Sequence, residues 1–550
     1  MKLRRMMRAG VLFAAIALSG SAAKAQNATD SGPYTISGVV RSATTGALLD
    51  RAEVMLSTAG DQETEVAATV TGEGGAFRFA HLAAGKYALA ASRRGYNPSR
   101  YQEHEGGYST AIVTGPGLVS EGLRFDLFPT AVIGGVITDD NGDPVAGAQV
   151  TLYRQQQQDG ETKVVRADDD STRDDGSYEF DRLHAGTYYI GVSANPWYAF
   201  RSPQLGPIDG MPAPPPPPRS PLDVAYPMTF YANATDSGSA TPIPVTAGDR
   251  LRMNVTMHAV AAVHLEIRMP KPGPRRGIQM PELQQDVFGS AQFQPPNRPS
   301  VSISGDQMVI DLGSFAPGQY TLRGFDPNGA GHTTSLDLTG DQTVDFSASG
   351  PTADVSSKLE MASGARLPPV TMLQLSPGGG GSPLSVPASA DGNFDLHAAP
   401  TGDYTVQVVS STGQLDIVQM AASGAEVHGH RITIGSDPVL LAASLARGSV
   451  SVSGFARREG VGVGGALVLL VPADAQDNAD LFRLDQSDSD GSFTLNRVLP
   501  GNYTLVAIEN GWSLEWSRPE AIAPYLARGV KLRITGEPQS LDLPGALDVQ

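Results

Sequence analysis

An all-β fold of tandem antiparallel β-sandwich domains is predicted by three observations. The chain has 550 residues with 62 glycines, 41 prolines and no cysteine, a composition typical of turn-rich proteins. An alternating strand, a Pro/Gly turn and a second alternating strand containing Gly-x-Tyr recur together five times, with the tyrosines 84 to 132 residues apart. Short segments of alternating apolar and polar residues, typical of strands with one buried face, lie around each copy. Repeats at domain-sized intervals indicate repeated domains rather than a short-period solenoid.

The first 25 residues have the three parts of a secretory signal peptide. Basic residues precede an apolar run from Val11 to Leu18, and the small residues Ala23 and Ala25 follow it. The run is short for a membrane span, so we expect cleavage before Gln26 rather than an uncleaved anchor. No later run of 18 apolar residues occurs in the sequence, so we expect no transmembrane helix after cleavage.

Net charge and the absence of cysteine exclude several classes of function. Loss of the five basic residues in the leader lowers the net charge from −17 to −22. Such an acidic surface repels phosphate backbones, so nucleic-acid binding is not expected. Without cysteine the chain can form neither disulfides nor thiolate metal sites, and its domains must be stabilised by packed cores or by their neighbours.

The repeats divide the mature chain into five predicted units. Unit 1 spans residues 26–128, unit 2 spans 129–258, unit 3 spans 259–350, unit 4 spans 351–447 and unit 5 spans 448–550. The tyrosines of the repeated pattern are Tyr87, Tyr188, Tyr320, Tyr404 and Tyr503. The residues ten positions earlier are apolar or aromatic, namely Phe77, Tyr178, Ile310, Phe394 and Phe493. We expect each repeated tyrosine to lie in a core with its hydroxyl at the rim.

The front half of each unit predicts a strand, a turn and a second strand. In unit 2 the first strand contains Gly135-Val136, and the turn and second strand run from Gly142 to Leu152. Later in the unit the Asp175-Gly176 turn precedes another alternating strand. Units 1 and 5 keep the same order of features. Units 3 and 4 keep only a degenerate version, around Val263–Met269 and Val355–Leu375.

These residues resemble the carboxypeptidase regulatory-like domain, a transthyretin-like (prealbumin-like) β-sandwich of the carbohydrate-binding-like class. The family pattern is G-x-V, then G-x-P-hydrophobic-x-G-A-x-V, then D-G-x-aromatic, then L-x-x-G-x-Y. Unit 2 matches it at Gly135, Val136, Gly142, Pro144, Val145, Gly147, Ala148, Val150, Asp175, Gly176, Tyr178, Leu183, Gly186 and Tyr188. Units 1 and 5 are good matches, and the layout looks like exported multi-repeat proteins of Gram-negative bacteria.

The resemblance implies a fold rather than a reaction. In the family's namesakes a zinc peptidase domain precedes this module and carries the chemistry, whereas here the repeats leave no room for such a domain. We therefore predict a protein that is not an enzyme, with no catalytic residues, no metal ligands and no cofactor.

Three segments are predicted to be loops or turns. A Pro-rich insertion at about residues 205–222 should be extended polyproline II, read as a rigid exposed loop rather than a ligand motif. Residues 270–299 read as a long loop in unit 3, and residues 378–381, four consecutive glycines, as a flexible turn in unit 4.

Two motifs that suggest chemistry have simpler structural interpretations. Residues 460–465 match G-x-G-x-x-G, but the following residues favour a strand rather than the helix that a dinucleotide site needs, so we predict a turn. His428 and His430 should lie on one strand face, where a third ligand would be needed to hold a metal, and surface polar residues are the favoured interpretation.

The acidic runs of unit 2 lie at predicted hairpin ends. Residues 139–143 contain three aspartates, and residues 168–175 contain five. Clustered carboxylates of this kind bind calcium in some exported proteins, but neither run fits the twelve-residue calcium loop. Solvated turns are favoured over a calcium site.

The three tryptophans are the candidate ligand-stacking residues. Trp197, Trp512 and Trp516 fall at strand ends or in following loops, as do Tyr198 and Tyr226. Aromatic side chains there could stack on sugar rings, or they could plug the ends of the sandwiches. Plugging is the favoured interpretation.

The predicted function is that of an exported, non-catalytic protein acting in binding, adhesion or scaffolding at the bacterial cell envelope. One alternative is a carbohydrate-binding accessory protein, and another is an enzyme whose site is assembled between units. The expected partners are a polysaccharide or another envelope protein. The expected location is the periplasm, the outer-membrane surface or the extracellular space.

Overall fold

The computed structural model describes residues 32–60, 62–200, 219–271, 280–294, 299–325, 331–346, 351–378, 383–447, 450–475, 478, 481–535 and 540–550. The predicted signal peptide and most of the predicted Pro-rich insertion lie outside these residues. The described residues are almost entirely strands, which form pairs of sheets in tandem, and this confirms the predicted all-β fold. Each predicted unit contains one large apolar core.

Unit 1 consists of two facing sheets. Its strands are Tyr34–Ser42, Glu53–Thr58, Glu65–Val70, Ala76–Leu82, Gly85–Ser92, Ser99–Arg100, Ile112–Thr114 and Leu123–Leu127, with a 3-10 turn at Glu105–Gly107. The first strand is the centre of a three-stranded sheet, between the fourth strand and the last. The remaining five strands form the second sheet, in which Gly85–Ser92 pairs with three others.

Unit 2 has the same plan with longer strands. Its strands are Ala131–Thr138, Gln149–Gln158, Glu161–Ser171, Ser177–Leu183, Gly186–Ser193, Val224–Ala225, Thr229–Phe230, Ile243–Val245, Arg250–Arg252, Val255–Thr256 and Val260–Ala261, and a 3-10 turn lies at Ser237–Ser239. The two long strands Gln149–Gln158 and Glu161–Ser171 form a hairpin that projects beyond the core. The last short strand pairs with Val224–Ala225, across the predicted boundary after residue 258.

Units 3 and 4 form sandwiches although their motifs are degenerate. The strands of unit 3 are Val263–Pro270, Glu282–Val287, Ser290–Gln294, Ser300–Ser304, Gln307–Phe315, Gly318–Phe325, Gly331–Leu338 and Gln342–Asp345. The strands of unit 4 are Thr352–Met361, Met372–Pro377, Leu384–Pro387, Asn393–Pro400, Gly402–Ser410, Gly413–Ser423, Ala425–His428, Arg431–Ile434 and Val439–Ala446. In unit 4 the long strand Gly413–Ser423 pairs in both sheets and joins them into one nine-stranded sheet.

Unit 5 adds a helix to the common plan. Its strands are Val450–Arg458, Val461–Gly462, Leu467–Pro472, Arg483–Gln486, Ser492–Val498, Gly501–Ile508, Val530–Ile534, Ser540–Asp542 and Leu547–Asp548. A 3-10 turn at Gly511–Ser513 and an α-helix at Pro519–Leu526 follow the sixth strand. Helical periodicity is weak throughout the sequence after the leader, so this helix was not predicted. Its start signals are local ones, Pro519 and Glu520 in the first turn.

One register is common to all five units and supports the repeat found in the sequence. The first long strand of each unit pairs antiparallel with the strand that carries the residue ten positions before the repeated tyrosine. The paired residues are Gly38 and Phe77, Gly135 and Tyr178, Ile267 and Ile310, Ser357 and Phe394, and Gly454 and Phe493. On its other side the same strand pairs in parallel with a strand from the end of the unit.

Close packing explains the glycine of the G-x-V motif in unit 2. A Cβ atom on Gly135 would lie 1.9 Å from the carbonyl oxygen of Met253 and 2.9 Å from the ring of Tyr178. No side chain fits in that space, because real Cβ contacts are longer. The glycine thus allows the aromatic ring to pack directly against the neighbouring backbone.

The five repeated tyrosines make one recurring hydrogen bond. Each hydroxyl donates to the carbonyl oxygen four residues earlier, at 2.8 to 3.1 Å, and each tyrosine is at most 8% exposed. The acceptors are Ala83, His184, Ala316, Pro400 and Leu499. The bond satisfies a buried hydroxyl and fixes the turn before the strand. The expectation of a core tyrosine is confirmed.

A recurring bulge precedes these tyrosines and was not predicted. In four units the residue six positions earlier has a positive φ of 56 to 62°, although none of these residues is glycine. They are His81, Arg182, Ala398 and Arg497. Each lies where the ladder to the first strand shifts its register. None of these residue types favours a positive φ as glycine does, so the sequence pattern did not reveal the bulge.

The prediction of one long loop over residues 270–299 is wrong for the part that is described. Glu282–Val287 and Ser290–Gln294 form a hairpin within it, because Leu283 and Val287 are buried beneath the pairing with Gly318–Phe325. The high content of proline and glutamine concealed this alternation. Among the described residues, no helix is long and apolar enough to cross a membrane.

Candidate functional site: the junction of units 1, 2 and 5

Trp512 joins unit 5 to unit 1. It lies in the 3-10 turn after the strand Gly501–Ile508, and its ring stacks on His104 of unit 1 at 4.8 Å with an interplanar angle of 11°. Tyr108 lies 5.2 Å from the same ring. The indole Nε1 donates to the carbonyl oxygen of Gly465 at 3.1 Å, which fixes the ring within its own unit. Trp512 therefore presents a rigid aromatic face to unit 1.

Gln486 makes three hydrogen bonds across the same junction. It is 2% exposed, and its Oε1 lies 2.8 Å from His104 Nδ1, which donates to it. Its Nε2 donates to the carbonyl oxygen of Gln102 and to Oγ1 of Thr110, both at 2.8 Å. All these partners belong to unit 1. A buried amide satisfied only by a neighbouring unit makes separation of the two units costly.

The turn after Gln486 pairs with an edge strand of unit 1. Ser489 N donates to the carbonyl oxygen of Ala111 at 2.9 Å, and Val113 N donates to Ser489 Oγ at 2.8 Å. Ala111 N donates to a carboxylate oxygen of Asp488 at 3.1 Å, and the other oxygen pairs with Lys86 Nζ at 2.6 Å. These bonds resemble the backbone pairing that an additional strand would make at the edge of the unit 1 sheet.

Trp516 joins unit 5 to unit 2. Its ring packs on Gly160, at the tip of the long hairpin, where a Cβ atom would lie 2.4 Å from Trp516 Cδ2. Gly160 has a φ of 75°, which glycine adopts without strain. Ser517 Oγ donates to the carbonyl oxygen of Gly160 at 2.9 Å, and Thr162 N donates to Glu515 at 3.3 Å.

The same hairpin also contacts unit 1. Gln157 N donates to Glu105 at 2.8 Å, and Arg154 pairs with Glu105 at 3.1 Å. Asn97 of unit 1 is 3% exposed and donates to the carbonyl oxygen of Leu183 at 3.0 Å. The first, second and last units of the chain therefore meet at one place, which we call the 1–2–5 junction.

Burial changes the electrostatics of the junction at Asp485. Burial is the main cause that raises the pKa of this carboxyl to about 6, and the neighbouring charge of Asp488 adds to the increase. Backbone N–H bonds from Thr494 and Gln486 and the charge of Lys86 act in the opposite direction. Burial also raises the pKa of Tyr108, with Asp485 as a second cause.

A polar cleft of about 380 Å³ opens beside the junction, between units 1 and 5. His104 and the carboxylates of Glu103, Asp126 and Glu509 line it. Among the described residues none of these carboxylates hydrogen-bonds to His104, and Asp126 and Glu509 accept from Arg41 and Arg458.

These pairings bear on the enzyme alternative. A general acid or base needs a proton partner within hydrogen-bond reach. In the cleft the Nδ1 of His104 is bound to Gln486, and the face of the ring lies against Trp512. Several titratable groups line the cleft, but the contacts described for them are hydrogen bonds, ion pairs and ring stacking that hold the fold together.

The junction between units 2 and 3 is built differently. Phe288, at the tip of the unit 3 hairpin, lies 5.1 Å from Tyr153, 4.9 Å from Tyr189 and 5.6 Å from Phe230, all in unit 2. Met228 completes this apolar cluster. The contact is an aromatic plug between units that are neighbours in the chain.

A Ser-His-Asp set lies near the same boundary. His264 Nε2 lies 2.8 Å from Asp223, and its Nδ1 lies 3.5 Å from Ser314 Oγ. The residue types are those of a nucleophilic triad, but His264 is 5% exposed and Ser314 is its cross-strand neighbour. A substrate could not reach this ring, so the set holds the boundary together.

The other predicted candidates lie apart from the junction. Trp197 is 87% exposed, with its ring 5.7 Å from Tyr198 and perpendicular to it. Tyr226 is buried and hydrogen-bonds to Tyr198, and burial is the main cause that raises its pKa. The prediction that His428 and His430 share one strand face is wrong, because the chain turns between His428 and Arg431.

The acidic runs and the glycine-rich segment have structural roles. Asp139 accepts from the backbone N–H groups of Asn141 and Asp143, and Asp175 accepts from that of Ser177, as in Asx turns. Within the described ranges, no group of three or more histidine or acidic residues could hold a metal ion. Residues 460–465 contain the short strand Val461–Gly462, which pairs back on Val450–Arg458 and has a turn on either side, and a strand, Leu467–Pro472, follows in place of the helix that a dinucleotide site needs.

Sequence reasoning missed most of the junction. It singled out Trp512 and Trp516 but not Gln486, Asp488 or Ser489, and it also missed Phe288 at the junction between units 2 and 3. Polar residues in turns look alike whether they face water or another unit. One usable signal was the Asp-Gly turn at residues 159–160, which predicts an exposed hairpin tip that a distant unit can contact.

One comparison with known proteins matches a protein family. A family model of the carboxypeptidase regulatory-like domain matches residues 35–114 and 132–207. None of the curated proteins matches the chain. Among solved structures, the Bacillus anthracis TIE protein is 9% identical over 75% of this chain and 74% of its own, with a TM-score of 0.16.

Two pilins give similar values. The minor pilin GBS52 of Streptococcus agalactiae is 14% identical over 45% of this chain and 100% of its own, with a TM-score of 0.21. The shaft pilin spaA of Lactobacillus rhamnosus GG is 9% identical over 41% and 98%, with a TM-score of 0.18. Structural similarity at these TM-scores supports no conclusion about this chain. The family model instead confirms the resemblance read from the motifs: units 1 and 2 are similar to carboxypeptidase regulatory-like domains.

Proposed function

We propose that the chain is an exported, non-catalytic scaffold that acts in binding or adhesion at the bacterial cell envelope. The observation that carries this proposal is the 1–2–5 junction. There aromatic, amide and carboxylate groups hold three sandwich units together. Three separate cores held in this way give a surface on which weak contacts can act together.

The composition supports the same proposal. The predicted leader directs the chain out of the cytoplasm, and the mature net charge of −22 favours solubility. Stability without disulfides then has to come from the cores and from docking between units.

Export and envelope binding can be tested together in a Gram-negative host. We expect the full chain to lose its leader before Gln26 and to appear in the periplasmic or envelope fraction, whereas a chain lacking residues 1–25 should stay in the cytoplasm. Purified mature protein should be retained on isolated envelopes. An uncleaved cytoplasmic product, or a cleaved product with no retention, would contradict the proposal.

Carbohydrate binding is a second candidate function, favoured by the exposed Trp197. Large aromatic side chains are rarely this exposed, and a flat indole beside a tyrosine is suited to stacking on a sugar ring. We expect Trp197→Ala to reduce retention on at least one insoluble polysaccharide of a panel. Phe128→Ala, at a phenylalanine that is 48% exposed, is the matched control. Equal retention of both variants and the wild type would remove this candidate.

A further inference from the structure

The edge strand Ile112–Thr114 of unit 1 is covered by unit 5. Within the described chain, its only ladder pairing is with Gly85–Ser92. Ile112 belongs to the core of unit 1, whereas Ala111 and Val113 do not, although they are only 8% and 9% exposed.

Unit 5 also satisfies the backbone of this edge. The N–H groups of Ala111 and Val113 donate to Asp488 and Ser489, and the carbonyl of Ala111 accepts from Ser489 N. Without unit 5, the edge would expose unpaired donors and acceptors beside an apolar side chain. Such an edge is a template for pairing with another chain.

We propose that this edge, together with the loop that carries His104, is also a docking surface for unit 5 of a second copy of the chain. The surface of unit 5 that fits it is already shown by the contacts within one chain: Gln486, the Asp488-Ser489 turn and Trp512. The two faces differ from each other, so the contact is heterologous. Repeated between copies, it links them head to tail.

The cores explain how the exchange can occur. Unit 5 has its own apolar core, separate from that of unit 1, so it can leave the junction without unfolding. Within one chain the effective concentration of unit 5 is roughly millimolar, so the intramolecular contact prevails in dilute solution. Contacts between copies therefore increase where the protein is crowded, as on an envelope surface. The inference extends the proposed scaffold role by naming a partner.

The absence of cysteine makes a direct cross-linking test possible. Lys86 and Asp488 face each other across the junction, and Lys86 keeps 41% of its side chain exposed. Lys86→Cys and Asp488→Cys are introduced into separate full chains that carry tags of different size. The two are mixed over a range of concentrations and treated with a short bismaleimide. The double variant reports the contact within one chain, and Val119→Cys, which is 80% exposed, replaces Lys86→Cys as the control.

We expect the yield of the cross-linked mixed dimer to be at least fivefold higher than that of either homodimer and of the Val119→Cys control. This yield should rise with protein concentration. If the double variant cross-links within one chain but no mixed dimer forms at any concentration, the proposal is overturned and the intramolecular junction stands. If the double variant fails to cross-link, the docking itself is contradicted and the proposal falls with it. Envelope retention is measured separately, so either failure is distinguishable from failure of the proposed function.

Discussion

The junction between units 2 and 3 and the junction between units 1 and 5 are made in opposite ways. The first inserts Phe288 into an aromatic cluster of unit 2. The second uses a buried amide, a turn that imitates a strand, and one stacked tryptophan. The plug between units 2 and 3 relies mainly on apolar burial, whereas the contact between units 1 and 5, which are far apart in the chain, relies mainly on hydrogen bonds. A polar junction resembles transient interfaces, which can open and close again.

The largest effect should come from removing the aromatic plug. Phe288→Ala deletes a ring packed between two units, and we expect the free energy of unfolding to fall by about 3 kcal/mol. Chemical denaturation of the mature chain measures it. Phe293→Ala, on the same hairpin but 50% exposed, is the matched control and should change stability by no more than about 0.5 kcal/mol. Equal losses in both variants would show that Phe288 is not a plug.

A smaller effect is expected at the hairpin tip under Trp516. Gly160→Ala puts a Cβ atom into the indole ring and adds backbone strain, so we expect about 2 kcal/mol of destabilisation and a red shift of tryptophan fluorescence.

The control for this variant is Gly147→Ala. Gly147 has a similar φ of 70°, but its Cβ position is open. This variant should show only the strain, about 1 kcal/mol, and no red shift. If the two variants behave alike, Trp516 does not pack on unit 2.

Gln486→Leu should weaken the polar junction by about 1 to 2 kcal/mol, because it leaves His104 Nδ1, Thr110 Oγ1 and the carbonyl of Gln102 without their partner. The change should appear as faster hydrogen exchange at Ala111 and Val113. Gln155→Leu, on the hairpin of unit 2, should leave exchange at these amides unchanged. Unchanged exchange in the Gln486 variant would contradict docking of unit 5 on this edge.

The smallest effect is a pH dependence from Asp485. Burial raises its pKa from 3.8 to about 6, so the folded state binds the proton more tightly than the unfolded state. This contribution to stability is complete below about pH 4 and is lost as the pH rises through about 6, by about 1 kcal/mol between pH 5 and 7.

Asp485→Asn should flatten this slope in denaturation curves recorded at pH 5 and 7. Asp175→Asn is the control and should keep the slope. Hydrogen bonds from Ser177 lower the pKa of Asp175 below 3.8, so its contribution to stability is complete above about pH 5 and is lost only as the pH falls below that range. An unchanged slope in the Asp485 variant would contradict the buried position of this carboxyl.

The sequence predicted the parts of the fold that follow from local periodicity. Tyr87, Tyr188 and the other repeated tyrosines mark the core of each unit because their spacing to the paired strand is constant. Unit 3 was recognisable from Tyr320 and Ile310 even though its turns had changed. The bulge at Arg182 and the helix at Pro519–Leu526 were not predicted, because tertiary packing selects them against weak local preferences.

The junction was less predictable than the fold. Trp512 and Trp516 were marked as aromatic residues at strand ends, and the favoured interpretation placed them at the ends of their own sandwich. Both rings do pack against an apolar cluster of unit 5, where Trp516 lies 4.8 Å from Phe482, and each also contacts another unit. Ligand stacking by the exposed Trp197 stays a prediction. Which unit lies opposite a given turn depends on the path of the whole chain, and no local pattern encodes that path.

The central claim, that the last unit docks on the first two, is tested most directly by a distance measurement between units 1 and 5. Spin labels on Val119→Cys and Val461→Cys occupy sites that are 80% and 70% exposed, in a chain with no other thiol. Pulsed electron paramagnetic resonance of the mature chain in dilute solution should give one narrow distance distribution, which broadens in the Gln486→Leu variant. A broad distribution in the wild type, unchanged by that substitution, would mean that unit 5 is not held against unit 1.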